Sequence, residues 1–277
     1  MREIIDSFPV CLESELRRAV ERQDFVVYYQ EIRSLGSRRI TGFEALLRWR
    51  HPERGILPPA EFLPLAEETG LVIPIGWWVF HEVCRQIREW RRRLPPQSTL
   101  SVSVNLSGRQ FLQPDLVQRL TDILEETCVE PSWVKLEIVE TIIMEHCATI
   151  IAKLQQLRRL GVGLALDDFG TGYSSLSRLL NFPIDTLKID RSFVQRLRPG
   201  GGECAVVSAI VTLARDLNME TVAEGVETEQ QLHTLSAMGC DFAQGYLFSP
   251  PLESEAAGQL LLSGPAPPPH PPGGAAR

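Results

Sequence analysis

FVVYYQEIRSLGSRRITGFEALLRW, residues 25–49, holds two apolar runs, FVVYYQEI and ITGFEALLRW, joined by only about six residues, Arg33 to Arg38. A crossover between parallel strands needs roughly a dozen residues or more, so these two runs pair as antiparallel strands. Outward from this pair the pattern changes. Short runs rich in Val, Ile and Leu recur at LSVSVNL (from 100), VKLEIVE (134), VGLALDD (162), TLKID (186), ETVAEGV (220) and FAQGYLF (242). Segments with helical spacing lie between them: Trp78 to Arg92, Leu116 to Glu126, Ile150 to Leu160 and Ala205 to Leu217. Eight strands with helices in six of the intervals predict an α/β fold, a (β/α)8 TIM-like barrel whose first strand is antiparallel.

The chain has 277 residues, 44% of them hydrophobic, which suits one large core. Residues 12–263 are expected to form the barrel. Leu12, Leu16 and Val20 give one stripe of an entry helix, residues 1–11 precede it as a leader, and the Pro/Gly-rich stretch 264–277 is expected to be disordered. A net charge of -7 argues against a nucleic-acid polymer as partner, because phosphate-backbone affinity rests on surplus Lys and Arg. Six scattered cysteines without a CxxC pair point to reduced thiols and a cytoplasmic location, either free or as the cytoplasmic part of a longer membrane-attached protein. The apolar run Leu71 to Phe80 is too short for a bilayer and is read as broken by Pro74 and Gly76. Trp77 and Trp78 cannot share a helix face, so one of them is expected at the surface.

In such barrels the chemistry stands at the C-terminal strand ends. Here those positions hold Glu44 on strand two, Asn105 ending strand three, Glu137 on four, and Asp167 with Asp168 ending five. Lys188 is on strand six, Glu224 ends strand seven and Gln244 is on strand eight. Taken singly, each has an ordinary explanation: a rim salt bridge for Glu44, a capped turn for Asn105, a helix entry for Asp167-Asp168. Together they are harder to explain, because one lysine cannot neutralise five carboxylates crowded at one mouth. Divalent cations resolve the conflict, and an oxygen-only donor set of Glu, Asp and Asn suits Mg²⁺ or Mn²⁺ rather than zinc. Adjacent aspartates at a strand end can hold two ions, the first Asp bridging them, which is an arrangement used for attack on phosphodiesters. The five histidines are dispersed, and the glycines of GTGY do not make a dinucleotide fingerprint.

The motifs YYQ, EALLRW, PAEFLPLAEETG, SVNLSGRQF, LEIVET, LALDDFGTGYSSL, LKIDRSFV, AEGVET and QGYLFSPPL follow one another from about Leu12 to Leu262. In this the chain resembles the EAL domain, a bacterial family that cleaves cyclic di-GMP to linear 5′-pGpG. The resemblance implies a two-ion Mg²⁺ or Mn²⁺ phosphodiesterase. Glu44, Asn105, Glu137 and Asp167 would hold the first ion, and Asp167 would bridge to a second that Asp168 also binds. Lys188 would orient the attacking water or hold the phosphate, and Glu224 would serve as second-ion ligand or general base. Gln30, Leu47, Arg48, Asp190, Glu227 and Gln244 fall at dinucleotide-contact positions, Arg48 being suited to a phosphate oxygen. Glu140 would anchor the regulatory loop DDFGTGYSSL. A homodimer and an upstream regulatory domain are further implications. Glu31 departs from the family, which has proline after the Tyr-Gln pair, and puts the fine geometry near Gln30 in question. The competing readings are a receptor that binds cyclic di-GMP without cleaving it and an enolase-like barrel with Lys188 as base. Arg48, the reversed first strand and the EALLRW context have no place in the second.

Overall fold

The computed structural model describes residues 3–95, 100–145, 147–170, 179–198 and 201–263. The reversed first strand is present. Strand β1 (Phe25–Ser34) pairs antiparallel with β2 (Ile40–His51) over nine positions, including Gln30 opposite Glu44. The connection is a turn, too short for any crossover. From β2 the sheet runs parallel through β4 (Ser101–Asn105), β5 (Val134–Val139), β6 (Gly163–Phe169), β7 (Thr186–Ile189), β8 (Glu220–Ala223) and β9 (Phe242–Ala243). Strand β9 pairs antiparallel with the far end of β1 and closes the ring of eight. Two short additions flank it: β3 (Gly55–Leu57) forms a hairpin on β2, and β10 (Leu252–Glu253) pairs with β1.

The strand alternation divides the residues between two layers. Val102, Val134, Leu136, Ile138, Leu164, Leu166, Leu187 and Ile189 face outward and are buried beneath the helices, where the main hydrophobic core lies. The helical readings correspond to Val72–Arg91, Leu116–Thr127, Cys147–Leu160 and Gly202–Asp216, each longer by a few residues at one end or both, or shifted. The entry helix starts at Glu3, not near Leu12, and runs to Arg22 with Leu16 and Ala19 buried. The leader residues from Glu3 onward are thus part of that helix, while 264–277 lie outside the described residues.

Three local expectations change. Pro74 and Gly76 do not break the Leu71–Phe80 run: one helix passes through both. Pro74 falls in the first turn, where its missing N–H has no intrahelical partner to lose. Gly76 is needed because a Cβ there would stand 2.1 Å from the Gln110 side chain packed against it. Trp77 and Trp78 are both half-buried against the core, Trp78 beside Phe25 and Trp77 beneath the Arg119 guanidinium. Strands seven and eight are shorter than ETVAEGV and FAQGYLF suggest. Gly225 turns the chain in the left-handed region after β8, and a Cβ on Gly245 would collide with the Val226 backbone at 2.1 Å. The two loops interlock there, with Val226 N–H donating to the Gln244 carbonyl at 3.0 Å. Among the described residues no helix is long and apolar enough to cross a membrane.

Candidate functional site

The parallel register brings the polar strand-end residues to one end of the barrel, staggered from strand to strand. Asn105 lies opposite Glu137, Val139 opposite Asp167, and Lys188 opposite Val222. Glu224 and Gln244 are the first residues beyond β8 and β9, held by Glu224 N–H to Ile189 and Gln244 N–H to Ala223. Because residues two apart on a strand share a face, Glu44, Glu137 and Lys188 point into the barrel while their neighbours enter the outer core.

Lys188 is the centre of this cluster. Its Nζ lies 2.6 Å from Glu224 Oε1, 2.7 Å from Glu137 Oε2, 3.1 Å from Asp167 Oδ1 and 3.7 Å from Glu44 Oε2, with the lysine side chain only 2% exposed. Glu44 is held from three sides. Asn105 Nδ2 donates to one oxygen at 2.9 Å, and Gln244 Nε2 donates to the other at 2.6 Å and to Gln30 Oε1 at 2.9 Å. Gln30 in turn donates to the Ser249 carbonyl. Asp167 Oδ1 accepts from the Asp168 amide, and Asp168 sits at φ +56°, a strained position that turns the chain sharply at the site.

Burial and charge crowding decide the ionisation. Burial lowers the Lys188 pKa, but Glu137, Glu224, Glu44 and Asp167 outweigh it and hold the ammonium well above its ordinary value. Burial likewise opposes the charge on Glu44, yet Lys188 and the Gln244 and Asn105 hydrogen bonds bring its carboxyl below the usual range. Glu137 goes the other way. Burial, and then the neighbouring carboxylates, push it well up despite Lys188. Burial, with Asp167 and Glu44 adding to it against Lys188, pushes Glu224 up to about 8, and Asp168 is raised by burial and by Asp167.

This donor set fits a hard divalent cation. Carboxylate oxygens of Asp167, Asp168 and Glu224 lie within 4.8 Å of one another, and Glu137 Oε1 is enclosed without a hydrogen-bond partner among the described residues. An oxygen cluster with surplus negative charge and an unsatisfied carboxylate oxygen is what Mg²⁺ or Mn²⁺ neutralises.

Around the acids, a cavity of about 230 Å³ is lined by Gln30, Glu44, Asp167, Glu224, Glu227 and Gln244, among others. Arg48 lies beside it, its guanidinium 5.5 Å from the Tyr28 ring centre and one N–H donating to the Leu47 carbonyl. The Leu47 side chain itself packs partly against the core, on the opposite face of β2 from Arg48. Asp190 caps the helix Arg191–Gln195 by accepting from the Ser192 amide, and Glu227 has its amide held by Gln231 Oε1. Glu140 is buried and accepts from the Gly170 N–H at 3.2 Å, just before residues 171–178 of the DDFGTGYSSL segment, which lie outside the described residues. Glu31 does not displace Gln30: it faces the other side of β1, buried and paired with Arg33 at 2.6 Å, while Gln30 stays in register with Glu44. Sequence reasoning missed Arg191, Gln195 and Tyr246, which also line the cavity. Their signal was proximity to Asp190 and Gln244 and, for Arg191 and Gln195, the i, i+4 spacing that sets both on one face of the helix Arg191–Gln195.

The fold and site define a closed eight-stranded barrel with a reversed first strand and an acidic pocket at the C-terminal strand ends. Within that class the chain belongs to the EAL domain family, whose model matches residues 13–251. It is 44% identical over 249 residues to the bifunctional diguanylate cyclase/cyclic di-GMP phosphodiesterase MucR of Pseudomonas aeruginosa, covering 90% of this chain and 36% of that protein. It is 38% identical over 252 residues to the cyclic di-GMP phosphodiesterase PdeR of Escherichia coli, covering 88% of this chain and 36% of that one. The solved PaMucR phosphodiesterase in complex with c-di-GMP superposes with a TM-score of 0.85 at 43% identity, covering 89% of this chain and 99% of that structure. The chain spans about a third of the length of these curated relatives.

Proposed function

We propose that the barrel mouth binds cyclic di-GMP and hydrolyses one of its phosphodiester bonds to give linear 5′-pGpG. The observation that carries this reading is a single buried ammonium, Lys188, set among the carboxylates of Glu44, Glu137, Asp167 and Glu224, with Asp168 adjoining. The named relatives and the complexed structure support the ligand. In this proposal Glu44, Asn105, Glu137 and Asp167 hold one Mg²⁺ or Mn²⁺, and Asp167, Asp168 and Glu224 hold a second. When bound, such a pair lowers the pKa of an attacking water and offsets charge on the phosphate oxygens.

The chain's own groups do the remaining work. Lys188 has three N–H donors with which to orient the attacking water or a phosphate oxygen. Glu224, with its raised pKa, is suited to take a proton near neutral pH or, in its ionised form, to ligate the second ion. Arg48 offers a charge-assisted hydrogen bond to a non-bridging phosphate oxygen. Asp190 and Glu227 are acceptors matched to the N1–H and N2–H donors of guanine, and Gln30, Gln244 and Leu47 complete the contact set. Glu140 tethers the loop after β6 to the site through Gly170. A homodimer and an upstream regulatory region belong to the same proposal. The greater length of the relatives supports the second.

The test is incubation of the chain with cyclic di-GMP and Mg²⁺ or Mn²⁺, with a chelated control, and chromatographic separation of products. Cation-dependent appearance of pGpG is the expected result. Binding without product moves the chain to a receptor role, and neither binding nor cleavage overturns the ligand.

A further inference from the structure

A second cavity lies inside the barrel on the opposite side of Lys188 from the mouth. It measures about 310 Å³ and is lined by Thr41, Ser101, Ser103, Lys135 and Thr186, with Glu220 at its rim. Its inner end is formed by Glu137 and Lys188. The register explains why it exists. The inward positions along the ring are Gly42 beside Ser101, Ser103 beside Lys135, and Ala165 beside Thr186 beside Glu220. Barrels of this type ordinarily fill their interior with layers of bulky branched side chains. Here Ile32, Val222 and Phe242 form one part of the wall, and small or hydroxyl-bearing residues, Gly42, Ser101, Ser103, Ala165 and Thr186, stand at the other inward positions. Gly42 has no alternative, since a Cβ on it would lie 2.5 Å from the Ser101 carbonyl oxygen.

The outer end of this space is at the N-terminal strand ends. There Lys135 Nζ is hydrogen-bonded to Thr186 Oγ1 at 2.8 Å and lies 3.5 Å from Glu220, whose side chain is 54% exposed. The rim is therefore wet and the inner end is ionic. Lys188 and Glu137, 2.7 Å apart, face this space, and Glu44, Asp167 and Glu224, which contact Lys188, face the mouth. A polar cavity holds water when each molecule finds two to four polar partners, and at ~30 Å³ per molecule this one has room for roughly ten.

We propose that the lower barrel interior is a second ligand site, open on the face opposite the substrate mouth. It takes water and small neutral hydroxyl-bearing molecules, and it reaches the underside of Glu137 and Lys188 without passing the mouth. Thr41, Ser101, Ser103 and Thr186 supply the hydroxyl lining, and Lys135 with Glu220 forms the gate. The site's location stands independently of the phosphodiesterase reading. Its bearing on turnover rests on that reading.

The experiment introduces a thiol by Ser103→Cys and exposes the folded protein to methyl methanethiosulfonate, with labelling located by mass spectrometry of the peptide. In the reaction the thiolate forms an S–S bond and methanesulfinate leaves. Labelling of the native protein is expected, slowed about ten-fold or more by adding Glu220→Trp at the rim, while Glu220→Ala, which opens the gate, and cyclic di-GMP at the mouth do not slow it. Labelling only after denaturation overturns the proposal, as does labelling blocked by the nucleotide but not by Glu220→Trp. These rates require no activity, so their failure is distinguishable from failure of the phosphodiesterase reading. In an active preparation, labelled protein is expected to bind nucleotide as before but turn over about ten-fold more slowly, since the added group presses on the floor that carries Lys188. Unchanged turnover in fully labelled protein removes the link to the chemistry.

Discussion

Replacing Lys188 with methionine keeps most of the side-chain volume and removes the one cation that four carboxylates share. Taking one partner out of a buried ion pair costs about 3–5 kcal/mol, because the charge left behind has neither water nor a counter-ion. For a domain of this size 1 kcal/mol moves Tm by about 2–4 °C, so the metal-free variant should melt about 6–20 °C below the parent at pH 8. The loss should shrink toward pH 5. Carboxylates in the variant avoid their mutual repulsion by binding protons that the unfolded chain has released, and that uptake costs about 1.4 kcal/mol more per pH unit for each proton. Thermal melts of both proteins in chelator across pH 5 to 8 measure the difference. Equal Tm values at pH 8, or a gap that widens on acidification, would refute the argument that Lys188 holds the acids together electrostatically. With saturating Mn²⁺ the gap should narrow, since the ions take over the neutralising role.

Asp167→Asn and Glu44→Ala should each abolish pGpG formation while leaving a folded barrel; parent-level turnover in either variant would remove the ion-ligand assignment. In the metal-free parent, Glu224 has its pKa pushed up to about 8, against roughly 4.3 in an unfolded chain. Its favourable proton binding is fully present below the unfolded value and is lost as pH rises through the folded one. Melts in chelator should therefore show Tm falling between about pH 4 and 8, with Mg²⁺ or Mn²⁺ restoring it at the upper end; a Tm that rises across this window contradicts the shift. Glu140→Ala should free the Gly170 amide, read as faster hydrogen exchange at that residue together with a loss of about 1–3 kcal/mol in stability. An unchanged exchange rate would show that the Glu140 contact does not anchor the loop entrance.

Much of the architecture could be read from local patterns because each pattern had a local cause. The six-residue join between FVVYYQEI and ITGFEALLRW excludes a crossover, and β1 is antiparallel to β2 as a result. The alternation that buries Leu136 and Ile138 also turns Glu137 inward, so its place in the barrel follows from counting by two. The ends of β8 and β9 are not legible in the sequence because ETVAEGV and FAQGYLF have strand-like composition throughout. They stop where Gly225 and Gly245 pack against partners far away in the sequence. The same limit applies to Pro74, whose position in the first helical turn depends on where the preceding loop releases the chain.

By itself the sequence determined the barrel, its reversed strand and the set of acids that meet at one mouth, because strand period, connection length and strand-end position are properties of neighbouring residues. Only the tertiary structure decided how those acids divide their charge around Lys188, with Glu44 held below the usual carboxylate range and Glu137 above it. That division depends on burial and on distances between strands far apart in the chain. It also decided that the interior beneath Lys188 is open, since the smallness of Gly42, Ser103 and Ala165 matters only once the ring closes and brings them together. Arg191 and Tyr246 reach the mouth for the same reason: packing between segments far apart in the chain brings the short helix Arg191–Gln195 and the turn after Gln244 to it.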